Sequence, residues 1–143
     1  MKRKRPWSVT WLALGVLSLV AVYLTRFGTT VSQWDFLSRL PLSISPFYLA
    51  ATGLIWSLSA LPLVWGLWRG KAWSTKALRV YSLLFSLYYW LEEWLIESSP
   101  LRNTNWPFLL TLTVVLLILV FWIISRPKVR NFFGEKNERK PKN

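Results

Sequence analysis

At 143 residues the chain has the length of a single domain. Hydrophobic residues make up 53% of it and the mean hydropathy is +0.32, values high for a soluble domain. The absence of Cys and His excludes disulfides, thiol nucleophiles, thiolate metal sites, Ser-His triads and imidazole ligation of haem. The net charge of +12 is the third bound, and its distribution decides what it means.

The apolar residues fall into four blocks, each about 20 residues long, the length that crosses a ~30 Å hydrocarbon core at ~1.5 Å per residue. In lipid every backbone polar group must be paired within its own element, so four blocks predict four helices. The expected fold is an all-α membrane protein, a four-helix transmembrane bundle occupying residues 1–125. Its spans are expected at about 6–25, 46–68, 76–97 and 106–125, with a basic cytoplasmic tail at 126–143.

Met1 to Arg5 form a basic start, and Pro6 is pre-set for a first helical turn. The run to Thr25 is longer than a signal-peptide core, and Leu24-Thr25-Arg26-Phe27 lacks the small-residue cleavage pattern. It reads as an uncleaved first span. Next, Thr30-Val31-Ser32-Gln33 has capping-box spacing, and Val31, Trp34, Leu37 and Leu40 recur every three residues. With Asp35 and Arg39 paired at i,i+4, this predicts a short interfacial helix at about 31–40, or else a continuation of the first span beyond a bend at Gly28.

Ser45 is placed to cap the second span and Pro46 to open it. Ala50, Gly53, Ser57 and Ala60, at i, i+3, i+7 and i+10, form a small-residue helix-packing face that lets another helix approach closely. Pro62 removes one ladder bond and predicts a kink. Gly70 suits the end of this helix, and Ser74 or Thr75 the cap of the third. Ser98-Ser99-Pro100 stops the third span, and Asn105 and Pro107 open the fourth. That fourth span, without Gly or charge, reads as the helix most exposed to lipid. In the tail, Phe132 and Phe133 are expected to dip into the membrane interface from a mobile basic segment.

Fifteen Lys and Arg fall on one side of the four spans, against Arg26, Arg39 and Arg102 on the other. The positive-inside rule then places both termini in the cytoplasm. The basic tail is expected to meet anionic lipids rather than nucleic acid, and most of the eleven Trp mark the two interfaces.

The third span carries the candidate site. Arg79, Ser82, Ser86, Tyr89, Glu93 and Glu97 share one polar face, which should turn to the bundle interior or to a watery vestibule. Glu92, one residue from Glu93, points about 100° away. Two readings stand side by side. Glu92, Glu93 and Glu97 can pair with Arg26, Arg39 and Arg102 on the same outer side, as structural ion pairs. Alternatively they form a cation or proton site centred on Glu93, with Tyr88, Tyr89, Trp90 and Trp94 offering ring faces to an organic cation. The favoured reading is pairing, because three acids face three arginines.

There is no Gly-rich phosphate loop, no metal-ligand cluster and no nucleophile beside a base, so neither enzymatic activity nor a cofactor is expected. In size, span number and membrane carboxylate the chain is similar in outline to small multidrug-resistance transporters. Their shared Glu lies mid-way along the first helix, where this chain has no acid, and no residue is carried over. Pro6-Trp7-Ser8-Val9-Thr10-Trp11-Leu12-Ala13-Leu14-Gly15, Gln33-Trp34-Asp35-Phe36-Leu37 and Leu63-Val64-Trp65-Gly66-Leu67-Trp68-Arg69-Gly70 resemble a group of uncharacterised four-span bacterial membrane proteins. That resemblance implies a bacterial plasma membrane and no activity. The expectation is a non-enzymatic structural or accessory subunit acting through helix–helix contacts, with other membrane subunits or with itself. The alternative is a small oligomeric transporter coupled to protons or cations.

Overall fold

The computed structural model describes residues 4–41, 44–95 and 102–134. Among them every regular element is a helix: α1 (Trp7–Ser32), α2 (Trp34–Arg39), α3 (Pro46–Arg69), α4 (Ala72–Leu95), α5 (Arg102–Ser125) and α6 (Pro127–Phe132). Three stretches are long and apolar enough to cross a membrane: Trp7–Ser32, Pro46–Arg69 and Asn105–Ser125. α4 has the length, 24 residues, but is less apolar, because it carries Lys76, Arg79, Glu92 and Glu93 together with its hydroxyl side chains.

α1 runs seven residues past the expected end of the first span. Its last turns hide their polar side chains by back-bonding: Thr25 Oγ1 donates to the Ala21 carbonyl at 2.8 Å and Thr29 Oγ1 to the Thr25 carbonyl at 2.9 Å. Thr30 Oγ1 donates to the Arg26 carbonyl at 2.7 Å, so the capping box expected between Thr30 and Gln33 does not form. Gln33 (φ −108°, ψ 23°) breaks the helix without a side-chain cap. The stretch expected at 31–40 is therefore divided: Val31 and Ser32 end α1, and only Trp34–Arg39 forms a separate helix. Asp35 and Arg39 are both exposed and make no ion pair with each other.

The ends of α3 follow from local chemistry. Ser45 Oγ accepts from the Phe47 amide at 3.3 Å, with Pro46 in the first helical position. The helix continues through Pro62 and stops at Gly70, whose φ of 66° is left-handed, while the Lys71 amide donates to the Gly66 carbonyl at 2.9 Å. α4 begins immediately afterwards at Ala72, earlier than expected. Ser74 and Thr75 are consequently not caps. They are buried in its first turn and donate to the Lys71 and Ala72 carbonyls at 2.6 and 3.0 Å.

The small-residue stripe decides the packing. Ala50, Gly53, Ser57 and Ala60 are all buried on α3, and α1 against α3 is the most extensive interface in the molecule. At Gly53 a Cβ would lie 3.0 Å from the Tyr23 carbonyl oxygen and 3.1 Å from the Phe27 nitrogen, so any larger residue would push the α1 backbone back. Val9, Leu12, Ala13, Val16, Val20 and Tyr23 form the facing seam of α1.

α4 stands further off, spaced by rings. Trp56 of α3 meets Tyr81, Phe85 and Tyr88 of α4 at centroid separations of 5.4, 5.1 and 4.9 Å. Tyr81 Oη also donates to the Trp56 carbonyl at 3.2 Å. α5 is attached most loosely: 6% of its most apolar 18-residue stretch is buried, against 33% in α1 and in α3.

The start of the tail departs from expectation. Instead of a mobile segment dipping into lipid, residues 127–132 form α6, with Val129 and Phe133 1% and 2% exposed in the cluster of Leu63, Leu67, Leu78 and Ile124. Phe132 lies against the α3–α4 turn, where a Cβ on Gly70 would come within 2.9 Å of its ring. The reason is spacing. Val129 and Phe133 are one turn apart, so a single turn of helix after Pro127 presents both to the open end of the core. Residues 135–143, the rest of the expected tail, lie outside the described residues.

Candidate functional site

The acids sit in the last turn of α4, and the basic partner comes from α1. Arg26 Nη2 donates to Glu92 Oε1 at 2.5 Å, with the two side chains 27% and 17% exposed. Tyr23, one turn before Arg26 on α1 and buried, places its ring centroid 5.8 Å from the guanidinium carbon. Below the pair lies an aromatic layer drawn from three helices. Tyr23 meets Phe85 edge-on at 5.6 Å, and Trp56 meets Phe85 edge-on at 5.1 Å.

This arrangement follows from α4 having two faces. Tyr81, Phe85, Tyr88 and Glu92 recur at i, i+4, i+7 and i+11, which holds them on one side of a helix. That side meets α3 and α1. The face of Ser82, Ser86 and Tyr89 is about 100° away and lines a cleft towards α5, which the edges of Tyr81 and Phe85 also reach. The Arg26–Glu92 contact thus belongs to the ring seam, beside the polar face read from the sequence. The signal was available: three rings at 3–4 residue spacing, followed one turn later by an acid, point a carboxylate at whichever helix the rings pack on.

The other candidate residues are spread out. Glu93 is half-buried on the neighbouring flank of α4, where it too makes a polar interaction. Tyr89 packs edge-on against Trp90 at 6.0 Å. Arg39 is exposed on α2. Glu97 and the Arg102 side chain lie outside the described residues.

The chemistry of the pair is that of a clamp. A carboxylate bonded to a guanidinium gains a charge-assisted hydrogen bond, stronger than a neutral one. Away from water, either group left alone keeps an uncompensated charge. The contact joins α1 and α4 near one end of the bundle, where few other side chains connect them. Among the described residues there is no group of three acids able to hold a metal ion.

At the opposite end every described cation–ring contact involves Trp. Arg5 lies 3.8 Å over Trp68 and Arg126 3.8 Å over Trp122, while Arg69 and Lys71 approach Trp65 at 5.6 and 5.8 Å. Neither a protein-family model, nor a curated protein, nor a solved structure matches this chain.

Proposed function

We propose that the protein is a non-enzymatic four-span membrane protein of a bacterial plasma membrane, with both termini cytoplasmic. In this reading it serves as a structural or accessory subunit through helix–helix contacts. The observation that carries the reading is the Arg26–Glu92 pair. An acid on the α1-facing side that serves as an interhelical latch supports reading α4 as a further crossing beside α1 and α3. The charge-bearing composition of α4 is then explained. Glu92 is answered by Arg26 near the outer end, and Lys76 and Arg79 lie within reach of the inner interface.

The small-residue face of α3 is consumed by α1 of the same chain. Contacts with another subunit therefore fall to α5, whose outward side carries Phe108, Val115 and Ile118, all exposed. The test is photo-cross-linking in native membranes from a reactive side chain at Val115 or Ile118, together with flux measurements on the purified protein in liposomes. The expected result is one discrete protein adduct shared by both positions, and no cation flux. Adducts with lipid alone, or a proton-coupled cation flux abolished by Glu93→Gln, would overturn the accessory role in favour of the transporter.

A further inference from the structure

Beside the latch, α1, α4 and α5 enclose a lateral cleft of about 940 Å³. At one end it is bounded by Trp7, Trp122 and Arg126, and it extends to Tyr89 and Leu109 at the other. From Leu109 to Arg126 is about 26 Å of helix, more than the ~15 Å that one leaflet of a ~30 Å hydrocarbon core presents. The cleft is long enough to hold an acyl chain from end to end.

Its walls are apolar even where the sequence is not. Ser18 Oγ donates to the Gly15 carbonyl at 2.7 Å, Ser82 Oγ to the Leu78 carbonyl at 2.6 Å and Thr113 Oγ1 to the Leu109 carbonyl at 2.8 Å. These three hydroxyl protons are turned into their own helices, which leaves more of the wall to carbon. At Gly15, on the α1 wall, an added Cβ would meet no atom within 4 Å.

The mouth is basic. The Arg126 guanidinium carbon lies 3.8 Å from the Trp122 ring centroid, exposed and in no ion pair among the described residues. The three described acids, Asp35, Glu92 and Glu93, stand at the other end of the molecule. A mainly apolar channel longer than one leaflet, with a cation that no described acid pairs and two indoles at its mouth, complements one ligand: an anionic phospholipid.

We infer that this cleft binds an anionic phospholipid of the leaflet that Arg126 faces, with the phosphate at Arg126 and an acyl chain between α1, α4 and α5. The inference rests on the reading that these helices cross a bilayer. The exposed Arg126 at the mouth favours an anionic headgroup over a second copy of the chain, whose described acids all stand at the other end of the molecule.

The experiment incorporates the full chain into vesicles of equal parts dioleoylphosphatidylglycerol and dioleoylphosphatidylcholine. After extraction in mild detergent, lipid retained per protein is measured by native mass spectrometry. The unmodified protein should retain phosphatidylglycerol over phosphatidylcholine by roughly fivefold, the size of one cation's preference for an anionic headgroup. Arg126→Gln should bring the ratio close to one, and Gly15→Phe should abolish retention of both lipids. Lys128→Gln, a charge change away from the cleft, should leave the ratio unchanged. Each variant is expected to fold, since Arg126 and Lys128 are exposed and Gly15 faces open space. A ratio unaffected by Arg126→Gln, equally reduced by Lys128→Gln, or retention that survives Gly15→Phe would overturn the site, as would a dimer whose formation Gly15→Phe blocks. Release of the chain from vesicles by alkaline carbonate would instead overturn the membrane-spanning reading itself.

Discussion

Arg26 and Glu92 are the residues whose loss should be felt most sharply for their size. Glu92→Gln keeps the shape and removes the charge, leaving the guanidinium facing a neutral amide between helices. The expected cost is about 2 kcal/mol, the range of a hydrogen bond between charged groups at a partly buried site. It is read as a lower midpoint of thermal unfolding in detergent. Arg26→Gln should cost a similar amount, and the double variant less than the sum of the two, because the second change removes a charge already unpaired. Fully additive losses would mean that the two side chains act separately. Gly53 fails by the opposite route. A Val side chain there must push into the Tyr23 carbonyl and the Phe27 backbone of α1, and helix backbone yields little. Gly53→Val is expected to cost about 1–3 kcal/mol through overpacking, checked in the same unfolding assay.

At the scale of elements, each helix is held by a different kind of contact. α1 and α3 meet backbone to backbone along small residues, α4 is held off by Trp56 and its own rings, and α6 closes the end of the core opposite the ion pair with Val129 and Phe133. Removing the Phe133 ring should release α6 first. Phe133→Ala, which empties a fully enclosed site at a cost of roughly 3 kcal/mol, should make Lys128 and Arg130 readily cleaved by trypsin in inside-out vesicles. An unchanged cleavage rate would show that α6 does not depend on that anchor.

Much of this was legible beforehand. The Ser45 cap, the Gly70 stop and the small-residue stripe are local signals, set by residues a turn apart, and they appear in the structure where they were read. The length of α1, the placing of Ser74 and Thr75 and the burial of Phe133 were not, because each depends on what another helix supplies. Arg26 looked like the end of a span until Glu92 answered it. Phe133 looked like an interfacial ring until Leu67 and Leu78 offered it a pocket. That Glu92 points at α1 was legible in part, since the ring spacing of α4 is periodic and the acid follows one turn later.

At the scale of the whole molecule, the two ends differ in chemistry. One carries arginines and a lysine over indole rings; the other carries the ion pair. Under the proposed topology the cationic end faces the cytoplasm and the ion pair lies at the outer end. The point on which the proposal turns is whether α4 crosses the membrane, since three crossings and four place the chain's later parts on opposite sides. The chain has no native Cys, so single cysteines at Thr104 and Asn137 can be labelled in intact cells with a membrane-impermeant maleimide. With four crossings and the amino terminus inside, Thr104→Cys reacts in intact cells and Asn137→Cys only after permeabilisation. The reverse pattern, Asn137→Cys reacting from outside and Thr104→Cys protected, would contradict it.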